Sequence, residues 1–391
     1  MINVLYLEKG DVKGGAALSL RILLEVLDRS KYQPFIALTA SYAKSLDFPI
    51  ENIEVLKLPE RKFGGDVKRH NPFVYFLLSV AYFFAVVLPG AARLGNIIRR
   101  KKIHIVHLNN DIAAHYSGIL AAKILHIPIV CHLRMTRPLT IGEKIFSKLI
   151  DRFVALSRSG RDYFICEGLQ EEKVIAIYDP YKIDGFQSLK DTQFSWVRTA
   201  QRKKRVGICS RLVPGKGHEV FLEAVKEISQ VMSEVHFFIM GEDDKENRGY
   251  KMMLEKKMMD LGLQSYVTFT GWQHDIMSAL AQLDIIVDVS NYYPEGLRRT
   301  LIEAMLAEKA VIATDIGQTR EVIEDSGAGF LISCNSSKEL SEKIIYLLQH
   351  DDLRKEMGKR GRKYASEKYD RRLKAKETEA LYQSLVKARG E

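Results

Sequence analysis

Two glutamates eight residues apart, Glu295 and Glu303, are the first candidates for chemistry in this sequence. They lie between an apolar run that begins at Asp284 and a second run, Ala310–Thr314. On a helix, eight residues at about 100° each leave two side chains about 80° apart, so we expect the carboxylates to bind different ligand groups. The order strand, loop, helix and strand puts the loop at the carboxyl end of a strand, where open α/β sheets bind ligands.

The loop before Glu303 has the features of a phosphate site. Pro294 and Gly296 punctuate it, and the helix is predicted to begin near Leu297. The first backbone N–H groups of that helix and its positive dipole end would face the crevice, where they could bind phosphate.

Two cations are predicted beside the same crevice. Arg211 and Lys216 bracket a Pro-Gly turn after the strand that begins at Arg205. A second glycine turn, Gly14–Gly15, follows the strand Ile2–Leu7 and opens a helix, so its backbone could approach a phosphate closely.

Other polar side chains end strands in the first half of the chain. His107 and Asn109 follow one apolar run, and His132 and Arg134 end another. Carboxyl ends of parallel strands share one edge of a sheet, so these residues are candidates for a site there.

The segments around the two glutamates resemble a known signature. Glu295, seven residues, Glu303-Ala-Met, then Val311-Ile-Ala-Thr-Asp-Ile-Gly and Glu321-Val-Ile, are similar to the nucleotide-sugar signature of retaining glycosyltransferases of family 4. That family has the GT-B fold. The resemblance covers nearly the whole chain and implies an α/β protein with two Rossmann-like domains that face each other across a cleft.

The resemblance assigns a role to each candidate. Glu295 meets the donor sugar, Glu303 holds the ribose hydroxyls, and His132 lies against the sugar near the reacting carbon. Arg211 and Lys216 match the family's diphosphate pair, and cations there stabilise the charge that grows on the leaving diphosphate. His132, Arg211, Lys216 and Glu295 are therefore the expected catalytic residues. The expected donor site comprises Gly14, Gly15, Arg211, Lys216, Gly241, Trp272, Glu295, Gly296, Leu297, Thr300 and Glu303.

The predicted organisation has four parts. Residues 1–180 form an acceptor-side Rossmann-like domain, 181–204 a linker, 205–370 the donor domain, and 371–391 a helix that crosses back to the first domain. The sugar is expected to keep its anomeric configuration, with a donor phosphate oxygen taking the acceptor's proton. The predicted donor is a UDP- or GDP-linked sugar, and the predicted acceptor is a glycan or lipid-linked glycan of a cell-surface polysaccharide such as lipopolysaccharide.

Composition limits the alternatives. The 391 residues are 46% hydrophobic and 28% charged with a net charge of +10, and the basic residues are spread over several helices without a nucleic-acid motif. The four cysteines lack zinc or redox spacing, and no secretory signal is recognisable, so a cytoplasmic location is expected. No metal motif is present, and the prediction is a metal-independent transferase without a cofactor.

An uncharged apolar run, Pro72–Pro89, precedes a basic stretch that reaches Lys102. One interpretation is a helix that covers the core of the first domain. The other is a helix in the membrane interface, with residues 72–102 contacting anionic lipid on the inner face of the plasma membrane. Pro89 and Gly90 are expected to interrupt the helix.

Several alternatives remain open. Trp272 could cap the nucleotide base or pack in the core. Arg298 and Arg299 replace residues that are small or apolar in the family, and could reach phosphates, an anionic sugar or solvent. Rival functions are a GT-B epimerase or phosphorylase, and a non-catalytic nucleotide-sugar-binding or scaffold protein.

Overall fold

The computed structural model describes residues 1–9, 15–39, 54–58, 72–183, 194–200, 203–243, 247–291 and 296–388. These residues form two compact units. Unit 1 comprises Met1–Lys182 and Arg371–Glu391, and unit 2 comprises Ile183–Asp370.

Unit 1 is built on a parallel sheet of seven strands in the order β3-β2-β1-β4-β5-β6-β7. The strands and helices of its first segment are β1 Ile2–Glu8, α1 Gly15–Val26, β2 Tyr32–Thr39, β3 Glu54–Leu58, α2 Pro72–Tyr82, α3 Leu88–Arg100, β4 Ile105–Leu108, α4 Tyr116–Ile124, β5 Ile129–Leu133, α5 Ile141–Ser147, β6 Arg152–Ala155, α6 Arg158–Cys166 and β7 Val174–Ala176.

Unit 2 is built on a parallel sheet of six strands in the order β10-β9-β8-β11-β12-β13. Its elements are β8 Lys204–Cys209, α7 His218–Ser229, β9 Val235–Met240, α8 Tyr250–Asp260, β10 Val267–Gly271, α9 Ile276–Ala281, β11 Ile285–Asp288, α10 Arg299–Leu306, β12 Ala310–Thr314, α11 Thr319–Ser326, β13 Gly329–Ile332, α12 Ser337–Gln349 and α13 Asp351–Lys368. The last helix of the chain, α14 Arg371–Lys387, belongs to unit 1.

Both sheets have the doubly wound order of a Rossmann fold, in which the chain runs outward from a central strand in one direction and then in the other. Helices cover parallel strands on both faces, which explains why the strands read as continuous apolar runs instead of alternating ones. The predicted α/β class with two Rossmann-like domains is confirmed.

Helix α14 packs on the sheet of unit 1. Leu381, Tyr382 and Leu385 are buried with side chains of β1, β2 and α1. The backbone N–H of Asp28 donates to the Glu379 carboxylate over 2.8 Å, and the Tyr32 hydroxyl donates to the Glu379 carbonyl over 3.1 Å. The chain's last helix is therefore part of the hydrophobic core of unit 1.

The helical run Pro72–Arg100 is not interrupted at Pro89. A wider π-helical turn, Phe83–Val87, joins α2 to α3, and Pro89 lies in the first turn of α3. A proline lacks an N–H and clashes with the carbonyl four residues earlier, so a widened turn just before it lets the helix continue. The predicted interruption was wrong.

The same run is long and apolar enough to cross a membrane by length and composition alone. This criterion selects the 24 residues Leu77–Arg100, and 17% of their most apolar window is buried. Ala91, Leu94 and Ile98 lie in the core of unit 1, whereas Leu77 is 51% and Phe84 63% exposed. Among the side chains described in this run, those around Leu77 and Phe84 therefore face away from the core, whereas those of α3 cover it on one side.

Candidate active site

Most of the described candidate residues lie near the point where each sheet reverses its winding direction. In unit 1 the reversal lies between β1 and β4, and in unit 2 between β8 and β11. Ligands of such sheets bind beyond the carboxyl ends of the strands at that point, where the loops diverge and leave a crevice.

In unit 2, hydrogen bonds join the loop after β8, which contains Arg211 and Lys216, to the segment after β11. The hydroxyl of Ser290 and the backbone N–H of Asn291 both donate to the Gly215 carbonyl, over 3.0 and 2.8 Å. Arg211 is exposed at the start of the loop and Lys216 is half-buried near its end. The loop after β11 therefore fixes the turn between the two cations.

Two glycines in these loops are required by their surroundings. A Cβ on Gly217, at φ +79°, would lie 2.1 Å from the Val289 carbonyl oxygen. A Cβ on Gly241, at φ +140°, would lie 2.0 Å from the Ser210 carbonyl oxygen. The Gly241 N–H donates to the Gly271 carbonyl over 3.0 Å, so the ends of β8, β9 and β10 meet with backbone against backbone.

Four charged side chains interact around Lys216. Burial lowers the pKa of Lys216 to about 8; Asp288 opposes this effect, while Arg298 and Arg211 add to it by repulsion. Asp288 also binds Arg298, with Nε and Oδ2 3.1 Å apart and both side chains largely buried. Among the residues that the structure describes, the charges that act on the Lys216 pKa are two guanidinium groups and one carboxylate, an arrangement suited to an anionic ligand.

Arg298 connects this cluster to the next strand and helix. Its guanidinium donates to the Thr319 hydroxyl over 2.5 Å and to the Thr314 carbonyl over 3.4 Å. The side chain is 8% exposed. The structure therefore excludes the solvent-facing alternative for Arg298.

Glu303 lies inside α10 with its side chain 12% exposed. Burial raises its pKa, and Arg299, one turn earlier on the same helix with Nε 3.5 Å from the carboxylate, lowers it. Burial raises the pKa of Cys209 at the end of β8, and the Glu303 charge adds to this effect, which places the Glu303 carboxylate close to that strand end. Arg299 faces Glu303, and its side chain is 14% exposed, so it too does not extend into solvent.

The remaining predicted donor residues of unit 2 fall around the start of α10 and the end of β10. Gly296, Leu297 and Thr300 are half-buried in and before the first turn of α10, which begins at Arg299, two residues after the predicted start. Trp272 follows β10 and is 45% exposed, which excludes the core alternative. Glu295 and Gly14 lie outside the described residues, and Gly15 is the exposed first residue of α1.

In unit 1, His132 is the next-to-last residue of β5 and is 8% exposed. One groove of this unit is lined by α1, by α14, by β5 and by the segments that follow β4, β5 and β7. The lining residues are Ser19, Leu20, Leu23, Asn109, His132, Arg134, Ile177, Tyr178, Asp179, Pro180, Lys374 and Thr378. The sequence predicted the polar strand ends in this list but not the contribution of α14.

Arg134 joins two segments that line this groove, the one after β4 and the one after β7. It donates to the Asn109 carbonyl over 2.6 Å and to the Asn109 side chain over 2.7 Å, and it pairs with Asp179 at 3.1 Å. Asn109 in turn donates to Glu8 at the end of β1. Asn109, His107 and Arg134 are therefore brought together at the edge of the sheet, as their strand-end positions indicated.

The sequence analysis missed the residues that pair with the candidates. Asp288 is the last residue of β11 and Asp179 follows β7, and a search for carboxylates at strand ends could have found both. No local signal pointed to Tyr382, which lies 275 residues from its partner His107. Across the part of the chain that the structure describes, no three His, Cys, Asp or Glu side chains are grouped to hold a metal ion.

Comparisons with known proteins match both units. Residues 190–364 match the family model described as Glycosyl transferases group 1, and residues 13–184 match that described as Glycosyltransferase Family 4. An uncharacterized glycosyltransferase of Methanocaldococcus jannaschii, MJ1069, is 27% identical over 255 residues, which are 63% of this chain and 62% of the relative.

A second relative is the poly(ribitol-phosphate) alpha-N-acetylglucosaminyltransferase of Staphylococcus aureus. It is 31% identical over 170 residues, which are 43% of this chain and 33% of that protein. The chain therefore spans less than two thirds of the length of either relative.

Among solved structures, Alr3699/HepE of Anabaena, crystallised in complex with UDP, superposes with a TM-score of 0.78 at 22% identity. The match covers 98% of this chain and 100% of that one. This likeness confirms the GT-B fold that the sequence predicted.

Proposed function

The chain belongs to glycosyltransferase family 4, the group 1 glycosyl transferases, and from that premise we propose that it moves a hexose from a nucleoside-diphosphate sugar to a glycan or lipid-linked glycan. The proposal includes a UDP- or GDP-linked donor, retention of the anomeric configuration and independence of metal ions. The observation that carries it is the cluster of Lys216, Arg211 and Arg298 around the Asp288 carboxylate, at the point where the sheet of unit 2 reverses.

The electrostatics of this cluster suit a diphosphate leaving group. Bond cleavage between the sugar and the phosphate builds negative charge on the diphosphate, and cations already in place stabilise that charge without reorganisation. The pKa of Lys216 is lowered because burial leaves its charge poorly solvated and because Arg298 and Arg211 repel it. An incoming diphosphate relieves both effects, so binding and leaving-group departure are favoured at the same place.

Glu303 is suited to hold ribose hydroxyls. Its carboxylate is largely buried and has Arg299 as a weak partner at 3.5 Å, so it retains acceptor capacity for two adjacent hydroxyl groups. The assignments of Glu295 to the donor sugar and of His132 to the reacting sugar are kept as part of this proposal. A donor phosphate oxygen takes the proton of the acceptor hydroxyl, so no protein side chain is assigned as the base.

The relatives support the choice of substrates. The Anabaena structure contains UDP, and the Staphylococcus enzyme is named for the transfer of N-acetylglucosamine to poly(ribitol phosphate). These names favour a UDP-sugar and a polymeric or lipid-linked acceptor of cell-surface polysaccharide synthesis, lipopolysaccharide included, over a nucleic acid. A scaffold protein would not need the cation cluster, and an epimerase or phosphorylase would not release nucleoside diphosphate in step with sugar transfer to an acceptor.

The test is release of UDP or GDP from a panel of nucleotide sugars with and without glycan acceptors. Acceptor-dependent release is expected. Lys216→Ala should lower kcat by about a hundredfold or more, the loss typical when one preorganised charge is removed from a transition state. Glu303→Ala should raise the donor KM, and the surface change Glu308→Ala should alter neither value. Unchanged rates in both site variants would refute the proposed site, and product with an inverted anomeric centre would refute retention.

We also propose that the enzyme works in the cytoplasm at the inner face of the plasma membrane, with residues 72–102 on anionic lipid. The exposed apolar side chains of the helical run form one stripe, and exposed arginines follow it: Leu77, Val80, Phe84 and Leu88, then Arg93, Arg99 and Arg100. No acidic residue occurs between Leu77 and Arg100. Apolar side chains followed by cations fit the boundary between acyl chains and anionic headgroups.

The packing of α3 favours lying in the interface over crossing it. The run from Pro72 to Leu88 is about 25 Å long at 1.5 Å per residue, shorter than the hydrocarbon core of about 30 Å, and the next turns are buried in unit 1. Sedimentation with phosphatidylglycerol vesicles should capture the protein, and Phe84→Ser with Leu77→Ser should reduce capture. Ile141→Ser changes an apolar side chain that is 80% exposed on another helix, and it should have no effect. Equal capture of all three proteins would contradict the proposal.

A further inference from the structure

A buried chain of hydrogen bonds joins α14 to His132. Tyr382 on α14 forms a hydrogen bond with Nδ1 of His107, and Nε2 of His107 lies 2.7 Å from Nδ1 of His132. At its other end, the Tyr382 hydroxyl donates to the Tyr6 hydroxyl over 3.0 Å. Tyr6, His107 and Tyr382 are fully buried, and His132 is the member that reaches the groove of unit 1.

The two histidine rings are oriented for an in-plane hydrogen bond. Their centroids are 4.8 Å apart and their planes differ by 14°. A nitrogen–nitrogen distance of 2.7 Å is too short for stacked ring faces, whose atoms pack at about 3.5 Å, so the rings meet edge to edge.

Both rings are neutral. Burial, reinforced by the charge of Arg134, lowers the pKa of His107 to about 3 and that of His132 well below its ordinary value. A neutral imidazole has one N–H and one nitrogen lone pair, so the role of one nitrogen determines the role of the other.

The direction of the first bond therefore sets every later one. Because the Tyr382 proton is given to Tyr6, the Tyr382 oxygen can only accept from His107, and Nδ1 of His107 carries the proton. Nε2 of His107 then carries a lone pair and no proton, so the N–H at Nδ1 of His132 must donate to it. Nε2 of His132 is left without a proton, as an acceptor.

We propose that Tyr382 and His107 are positioning residues that hold His132 in the tautomer whose Nε2 carries no proton. In this tautomer Nε2 accepts a hydrogen bond from a hydroxyl group bound in the groove. The use of this acceptor by a sugar hydroxyl rests on the proposed function; the tautomer itself does not. The locked ring cannot donate a proton from Nε2, which restricts His132 to binding and orienting a hydroxyl. The last helix of the chain thereby sets the chemistry of a strand-end residue 250 positions earlier.

The test reads the tautomer directly. Long-range ¹H–¹⁵N spectra of the full chain with ¹⁵N-labelled histidine, assigned with His132→Gln, should show the His132 proton on Nδ1 at pH 7. Tyr382→Phe keeps the buried ring but removes the oxygen that His107 needs, so His107 can reverse and a His132 form protonated at Nε2 should appear.

Tyr32→Phe is the matched control. Tyr32 is fully buried beside Tyr382 and bonds the backbone of the same helix, but it is outside the hydrogen-bond chain, so its loss should leave the tautomer unchanged. A wild-type His132 protonated at Nε2 would overturn the proposal. So would an unchanged tautomer in folded Tyr382→Phe.

Activity gives a separate readout. Tyr382→Phe should lower kcat/KM for the donor about tenfold, the factor that corresponds to one hydrogen bond, and Tyr32→Phe should stay within about twofold of wild type. Absence of transferase activity in the wild type would overturn the proposed function while the spectra still decide the tautomer.

Discussion

The charge of Lys216 should be visible in the pH dependence of the reaction. Burial together with repulsion from Arg298 and Arg211 lowers its pKa from 10.5 to about 8, a difference that corresponds to about 3 kcal/mol. The group is charged below this value and neutral above it, so kcat/KM should fall as the pH rises through about 8. At pH 9 about one tenth of the plateau should remain, because that is the charged fraction of a group with a pKa of about 8.

Two substitutions test whether deprotonation of Lys216 causes the alkaline decrease in kcat/KM. Lys216→Arg keeps the positive charge at every accessible pH, so the alkaline decrease should disappear even if the plateau is lower. Asp288→Asn removes the carboxylate that raises the Lys216 pKa, so the decrease should begin at lower pH. The control Lys204→Arg changes a surface lysine paired with Asp351 and should leave the profile unchanged.

The assay is initial-rate release of nucleoside diphosphate at subsaturating donor from pH 6 to 9.5, with circular dichroism at each pH to establish that the protein stays folded. The profile of kcat should extend to higher pH than that of kcat/KM, because bound diphosphate stabilises the ammonium form. A wild-type profile that is flat to pH 9.5, or a Lys216→Arg profile with the same alkaline decrease, would refute this account of the cation cluster.

Other consequences concern stability and metal ions. Arg298→Ala leaves Asp288 largely buried without its ion pair and should lower the free energy of unfolding by about 3 kcal/mol, measured by urea denaturation; a loss below about 1 kcal/mol would contradict the structural role of the pair. Gly241→Ala forces a Cβ against the Ser210 carbonyl at a positive φ and should lower the melting temperature. A variant with the wild-type melting temperature would show that the strand ends are not packed as described. Initial rates should be the same with excess EDTA as with Mg²⁺, and a rate restored only by added metal would contradict metal independence.

Much of the fold could be predicted because parallel strands buried on both faces have a strong pattern. The runs beginning at Arg205 and Asp284 and the run Ala310–Thr314 are strands, and the residues predicted to bind a donor follow them. The bounds were less accurate. Helix α10 begins at Arg299 and not near Leu297, because Arg298 has an extended backbone conformation and its side chain binds Asp288.

What could not be predicted depends on contacts distant in sequence. The environment of Arg298 is set by Asp288, Thr314 and Thr319, which belong to three other elements. The protonation of His132 is set by His107 and by a tyrosine on the last helix. Motif spacing identifies which residues reach a sheet edge, but the partner of each depends on how the elements pack.

The most direct test of the central claim is calorimetric titration of the purified chain with UDP- and GDP-sugars in the absence of divalent metal. The account predicts saturable binding of at least one of them, weakened about tenfold or more by Glu303→Ala and by Lys216→Ala and unaffected by Glu308→Ala. Failure of every nucleotide sugar to bind, or equal affinity in all three variants, would contradict the claim that this edge of unit 2 holds a nucleoside diphosphate.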